Sequence, residues 1–232
     1  MPDLAFVLHQ RPYAETSALL DLLTVAEGRV VVVARGVKRR RGRWDVQLFT
    51  PLQVTYSGRH DLKTLIQAER CGEAVVLQGR QLYLGFYLNE LACRLLPRDW
   101  PVPALFLEYQ QALLDVTSKE VDIMETALRR YERCMVEMCG FDHLFAVEVE
   151  HGDPLDPEVS YALDPERGFR RAPSGYLGAH LLAMDKADYR DPEVRLGAKH
   201  IFRQWLHVQL KGRPLRSREL FAAGGAMKGT IE

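Results

Sequence analysis

Thr16–Ala34 reads TSALLDLLTVAEGRVVVVA, and this stretch decides the fold. By apolarity alone Thr16–Thr24 fits a strand or a helix. Its short length and the turn signal Ala26-Glu27-Gly28 favour a strand entering a hairpin. Arg29–Ala34 supplies the returning strand. Its four consecutive valines suit a pleated surface, because β-branched side chains are restricted in a helix. Upstream, Ala5–His9 is a short apolar stretch. Gln10-Arg11-Pro12-Tyr13 is expected to break it, since proline cannot donate to a ladder. Downstream, Leu52–Tyr56 alternates Leu, Val and Tyr with Gln and Thr, the pattern of a half-buried strand, and Leu62–Ala68 is a fifth candidate. Five short strands joined by turns predict a small closed barrel.

Near residue 80 the period changes. Leu82–Leu96 is apolar around most of its circumference and predicts a buried helix, ended by Pro97 and Pro101. A second helix is expected over Ala104–Val116, after Pro103. Asp122, with Glu125 three residues on, reads as a capping box. The helix it opens places Ile123, Leu128, Tyr131, Met135 and Met138 near one face and stops at Gly140. Residues 141–175 hold four prolines and predict an irregular excursion. Pro192–Leu210 is the last long helix, with Val194, Ile201, Trp205 and Val208 inward, and Lys211-Gly212-Arg213-Pro214 stops it. The glycine-rich final ten residues are expected to fray. The expected organisation is therefore α+β: a five-stranded β barrel over 1–78, then an α-helical domain over 79–232.

The chain has 232 residues, 47% hydrophobic and 27% charged. That balance excludes a disordered chain, a collagen and a coiled-coil rod. The 31 basic and 31 acidic side chains cancel in number but not in position. Residues 1–80 carry 12 basic and 8 acidic groups, 81–198 carry 12 and 21, and 199–232 carry 7 and 2. Both ends are fit to hold a polyanion and the middle repels one. No apolar run approaches the roughly 20 residues of a membrane span. Met1-Pro2-Asp3-Leu4 shows no secretory n-region. A cytoplasmic setting with Cys71, Cys93, Cys134 and Cys139 reduced and buried is expected. CxxC, HExxH, GxGxxG, GxSxG and Walker motifs do not occur, so no catalytic residue and no metal or other cofactor is expected.

The sharpest local feature is the run from Arg35 to Arg43, RGVKRRRGR, in which Arg35, Lys38, Arg39, Arg40, Arg41 and Arg43 are cationic. Such density suits phosphates, and Trp44 beside it offers a face for a base. The plainer reading is a solvated loop. Arg59, His60 and Lys63 extend the same surface from the next hairpin. Tyr13, Trp44, Phe49 and Tyr56 are the aromatic residues open to stacking, some of them necessarily core. A second basic group, Lys211, Arg213, Arg216 and Arg218, follows the last helix. A helix C-terminal dipole accounts for Lys211 but poorly for Arg216 and Arg218. Ser217 could cap a short helix there. Arg129-Arg130 lies mid-helix beside a methionine stripe, where an arginine next to an apolar groove could hold a peptide carboxylate, although methionines at that spacing are more often core.

Five blocks, taken in order, resemble the RecO family of DNA-repair and recombination mediators: FVLHQRPYAETSALLDLLTVAEGRVVVVARGVKRRRGR from Phe6, LQVTYSGRHDLKTL from Leu52, LYLGFYLNELACRLL from Leu82, ALRRYE from Ala127 and KGRPLRSRELF from Lys211. The resemblance implies an N-terminal OB-fold and a C-terminal helical domain. It implies binding to single- and double-stranded DNA and annealing of complementary strands. It also implies work with RecR to load RecA onto DNA covered by single-stranded-DNA-binding protein (SSB). Many relatives carry a four-cysteine zinc site after the middle helices. The matching stretch here, Gly140–Arg171, has no cysteine, so that zinc is expected to be absent. In relatives an arginine of the ALRR segment lies by the pocket for the acidic SSB tail, which points to Leu128, Arg129, Tyr131 and Met135. Two other readings share the barrel and the basic loop: an RNA-binding or ribosome-associated adaptor, and a metal-dependent nuclease.

Overall fold

In a computed structural model of the chain, residues 2–36, 46–58, 62–141 and 144–220 are described. They form two compact units, one of the described residues up to Thr117 together with those from Leu215, and one of the described residues of Ser118–Pro214. The run 37–45, Arg59, His60 and the tail from Phe221 lie outside the described residues.

The first unit is built on a closed barrel. Its strands are β1 (Asp3–Tyr13), β2 (Ser17–Thr24), β3 (Gly28–Ala34), β4 (Leu52–Ser57) and β5 (Lys63–Arg70), in the order β1-β2-β3-β5-β4. All neighbours are antiparallel except β3 and β5, which pair in parallel through Val32–Lys63 and Val33–Thr64. This is a five-stranded barrel of the OB type. Alternate residues fill it: Ala5 and Val7 from β1, Ala18, Leu20 and Leu22 from β2, Val30, Val32 and Ala34 from β3. The period of two that sends these side chains inward turns their neighbours outward.

Two sequence expectations need correction here. β1 does not end at His9. It runs on to Tyr13 through Pro12, which pairs with Ala18. Proline is tolerated because β4 joins β1 only at Asp3–Ala5, leaving the far half of β1 as an edge with β2 as its strand neighbour. The helices α1 (Arg80–Leu95) and α2 (Pro103–Asp115) form where expected but belong to the barrel's unit, not to a separate body with the later helices. Both pack against β1 on the outside of the barrel. Phe6, on β1, meets Phe106 and Tyr109 of α2 at ring-centroid distances of 5.6 and 5.2 Å. Gly85 lets α1 seat closely, because a Cβ there would stand 2.5 Å from Leu77 and 2.8 Å from the Phe49 ring. Gly28, at φ +69°, lets the β2–β3 turn pass under the α1–α2 connection, where a Cβ would meet the Trp100 carbonyl oxygen at 1.9 Å.

The second unit holds α3 (Val121–Met138), β6 (Ser160–Asp164), β7 (Gly168–Arg171), β8 (Tyr176–Leu177), α4 (Gly178–Asp185) and α5 (Pro192–Gln209). Residues 141–175 are not wholly irregular, since they contribute two strands of a sheet ordered β7-β6-β8. Aromatic side chains tie the unit together: Phe141 packs on Trp205, and Phe145 on Phe169 and Phe202. α5 starts as its sequence dictates, with Pro192 in the first turn and the Asp191 carboxylate accepting the Glu193 N–H at 2.7 Å. α3 departs from the expectation. Glu120 is its N-cap residue, and Asp122, inside the first turn, pairs with Arg195 at 2.9 Å instead of capping. Its buried face runs through Met124, Ala127, Tyr131 and Met135, while Ile123 and Met138 are exposed. Among the described residues no helix is long and apolar enough to cross a membrane.

Candidate nucleic-acid interface

Arg35 is exposed just past the end of β3, at the mouth of the basic run. Lys38, Arg39, Arg40, Arg41, Arg43, Trp44 and Arg59 lie outside the described residues, so the structure assigns them no geometry.

Lys63 is described, and it corrects the sequence reading. Its residue is 9% exposed, and its ammonium binds the carboxylates of Glu27 and, at 2.7 Å, Asp99. The Tyr56 ring centroid lies 5.4 Å from the same nitrogen. Burial disfavours the charged ammonium, but the hydrogen bonds to Asp99 and Glu27 outweigh it and raise the Lys63 pKa. Burial is also the chief reason the Tyr56 hydroxyl is pushed up to about 12. A cation holding two acids of its own chain is not presented to a phosphate. It ties β5 to the β2–β3 turn and to the α1–α2 connection. The neighbouring pair does similar work: Arg29 binds Asp21 at 2.7 Å and donates to the Leu96 carbonyl at 3.3 Å.

The three described aromatic candidates separate by burial. Phe49 is core, its ring tilted against that of Phe86. Tyr56 is half-buried beside Lys63. Tyr13, 43% exposed, stands near the end of β1. From His9 onward every residue of β1 is exposed, and the sequence reading missed this because it ended the strand there.

The second basic group divides between the units. Lys211 and Arg213 belong to the second, both exposed. Arg216 and Arg218 belong to the first, where a short helix over 216–220 lies against α1. Its cap is not the Ser217 side chain but Glu90. That carboxylate accepts the N–H groups of Arg216 (3.0 Å) and Ser217 (2.9 Å) and the Ser217 hydroxyl (2.8 Å). Burial would raise the Glu90 pKa, but the bonds from Ser217, Arg216 and Arg94 outweigh it and lower it. Arg216 remains exposed, whereas Arg218 is half-buried over the Tyr87 ring, 5.6 Å from its centroid.

Of the four residues to which the resemblance points for the SSB-tail pocket, three are buried. Tyr131 and Met135 are both 0% exposed, members of the core of their unit, and Leu128 is half-buried. Arg129 is 6% exposed and binds Glu132, itself 3% exposed, at 2.9 Å. Its Nε finds no partner among the described residues. An incoming carboxylate would have to compete with Glu132 for this guanidinium.

Glu148, His151 and Asp153 bring one potential metal-ligand atom each within 4.8 Å of one another. Glu148 is fully buried and already accepts the N–H groups of Glu150 (2.8 Å) and His151 (2.6 Å). Burial would raise its pKa, and these N–H groups outweigh burial and lower it. Its carboxylate serves the turn. An apolar cleft of about 380 Å³ in the first unit lies between α2, β1 and the residues after β5, with Glu73 the charged side chain of its lining.

Residues 1–73 match the family model described as recombination protein O N terminal, and residues 77–219 match recombination protein O C terminal. The DNA repair protein RecO of Actinobacillus succinogenes is 40% identical over 223 residues, covering 94% of this chain and 93% of its own. That of Pseudomonas paraeruginosa is 40% identical over 221 residues, covering 93% and 92%. That of Vibrio parahaemolyticus is 38% identical over 222 residues, covering 93% and 90%.

Proposed function

This chain belongs to the recombination protein O family of DNA-repair and recombination proteins, and from that premise we propose that it is a non-enzymatic mediator acting on DNA strands. It binds single- and double-stranded DNA through backbone phosphates without reading sequence, and it anneals complementary strands. With RecR it helps load RecA onto SSB-coated single strands, at the nucleoid in the cytoplasm. The observation that carries this reading is six cations in nine residues, Arg35 to Arg43, in the sequence directly after β3 of an OB-type barrel. A protein that neutralises two strands at once removes the repulsion between them, so annealing accelerates with no bond made or broken.

If about six cations neutralise phosphates, single-strand affinity falls with a log–log salt slope near −4, roughly a 300-fold loss between 50 and 200 mM salt. Replacing Arg39, Arg40 and Arg41 by alanine weakens binding and flattens the slope by about 2. An unchanged slope rejects the role of the run. Competition by RNA of equal length separates a DNA mediator from an RNA-binding adaptor, and incubation of DNA with magnesium or manganese tests for cleavage. Docking on the SSB tail is tested by titrating bare and SSB-coated strands against wild type and Arg129→Ala. Loss confined to coated DNA, with the fold retained, supports a pocket at Arg129.

A further inference from the structure

The outer face of the β1–β2 hairpin carries a strip of side chains that the basic run does not include. The barrel core takes Val7 of β1 and, across the ladder, Leu22, Leu20 and Ala18 of β2. A register shift between Val7 and His9 places Leu8 in a bulge, and beyond it His9 pairs with Asp21, Arg11 with Leu19 and Tyr13 with Ser17. Those β2 partners alternate with the core residues, so His9, Arg11 and Tyr13 share the outward face. Lower on the barrel this face is covered by helices, as Phe6 against Phe106 shows. From His9 to Tyr13 it is open. Arg35 continues the same face on the third strand, because Ala34 pairs with Ala18, which pairs with Pro12. Among the described residues no carboxylate pairs with Arg11. The acids closest in the ladder and the turn are Asp21, already bound to Arg29 at 2.7 Å, and the exposed Glu15.

We propose that His9, Arg11 and Tyr13, in line with Arg35, form a stacking and phosphate-binding strip for single-stranded DNA. Residues two apart on a strand are about 6.6 Å apart, the scale of one nucleotide step in an extended single strand. A cation and a flat ring at that spacing match a backbone phosphate and its neighbouring base. Sequence-tolerant single-strand binding combines these two elements, since every base has a face to stack. The inference rests on the DNA-binding reading above and goes further: it adds contacts outside the basic run and gives them a preference for unpaired bases.

The test uses the full-length protein, a fluorescent single strand and the matching duplex, over a salt series. Tyr13→Ala weakens single-strand binding by about fivefold or more, leaves the salt slope unchanged and spares the duplex; Tyr13→Phe retains wild-type affinity. Arg11→Gln weakens binding and reduces the single-strand slope by about 0.7, and Arg11→Glu weakens it further. Both positions are exposed, and thermal melts matching wild type verify that the fold is kept. If Arg11→Glu and Tyr13→Ala bind as wild type while the Arg39, Arg40 and Arg41 triple variant is weakened, the strip is not a contact and the mediator reading stands. Equal losses on single strand and duplex for Tyr13→Ala overturn the stacking role. A wild-type protein that binds no DNA overturns both readings.

Discussion

Asn89→Ala tests how the barrel and its covering helices are joined. Asn89 lies on α1 and is 3% exposed. Its Nδ2 donates to the Leu8 carbonyl at 2.8 Å, and its Oδ1 accepts the Tyr109 hydroxyl at 2.6 Å. Leu8 is the bulged residue of β1, so its carbonyl is out of step with the ladder and takes an external donor. The substitution deprives one carbonyl and one hydroxyl of these partners in a region closed to water. Each costs about 1–3 kcal/mol, and the lost packing adds to it, so a total of about 3–5 kcal/mol is expected. That is a large share of the roughly 5–15 kcal/mol by which domains are typically stable, about a fifth or more. Tyr109→Phe alone removes one of the two bonds and costs about 1–2 kcal/mol. In the Asn89→Ala background the same change costs much less, because the hydroxyl has already lost its acceptor, giving a coupling of about 1 kcal/mol or more. Urea unfolding of the four proteins, followed by far-ultraviolet circular dichroism, measures all terms. A loss under about 1 kcal/mol for Asn89→Ala, or strict additivity with Tyr109→Phe, refutes the assignment of the join to this pair of bonds.

The buried Arg129–Glu132 pair makes a second prediction: Arg129→Ala and Glu132→Ala each destabilise by about 3–5 kcal/mol, because each strands the other's charge, and the double variant falls well short of their sum. Thermal or urea unfolding decides it, and an Arg129→Ala protein as stable as wild type shows that Glu132 does not depend on it. Glu90 has a lowered pKa in the fold, so its contribution is present above the ordinary glutamate value of about 4.3 and is lost as pH falls through the lower folded value. Hydrogen exchange at Ser217 measured down that range reports release of the 216–220 helix, and Glu90→Gln reproduces part of the release at neutral pH. Lys63 has a raised pKa, so its contribution is complete below the unfolded value of about 10.4 and is lost as pH rises through the folded one. Alkaline melts of wild type and Lys63→Met converge there. Lys63→Met also leaves the DNA salt slope unchanged, and a slope reduced by about 0.7 shows that the ammonium does reach a phosphate.

The sequence by itself determined the local architecture and the family. Four valines in a row, a turn signal before them and alternation in Leu52–Tyr56 specify strands, because propensity and a period of two act within a few residues. The same locality made α1, α2 and α5 readable to within one or two residues, and it made the cationic run from Arg35 to Arg43 visible. The tertiary structure decided which charges and which faces are available. Lys63 reads as one more cation beside a basic hairpin, but Glu27 and Asp99, each 36 residues away in the chain, close around it. Arg129 reads as a cation beside a groove, but the buried face of α3 runs through Met124, Ala127 and Tyr131, and the guanidinium is enclosed with Glu132. Pro12 reads as a strand breaker, but β1 is an edge there and continues to Tyr13. Whether a charge is neutralised, or a strand end covered, depends on residues brought together by closure of the barrel and packing of the helices. No window of adjacent residues contains that information.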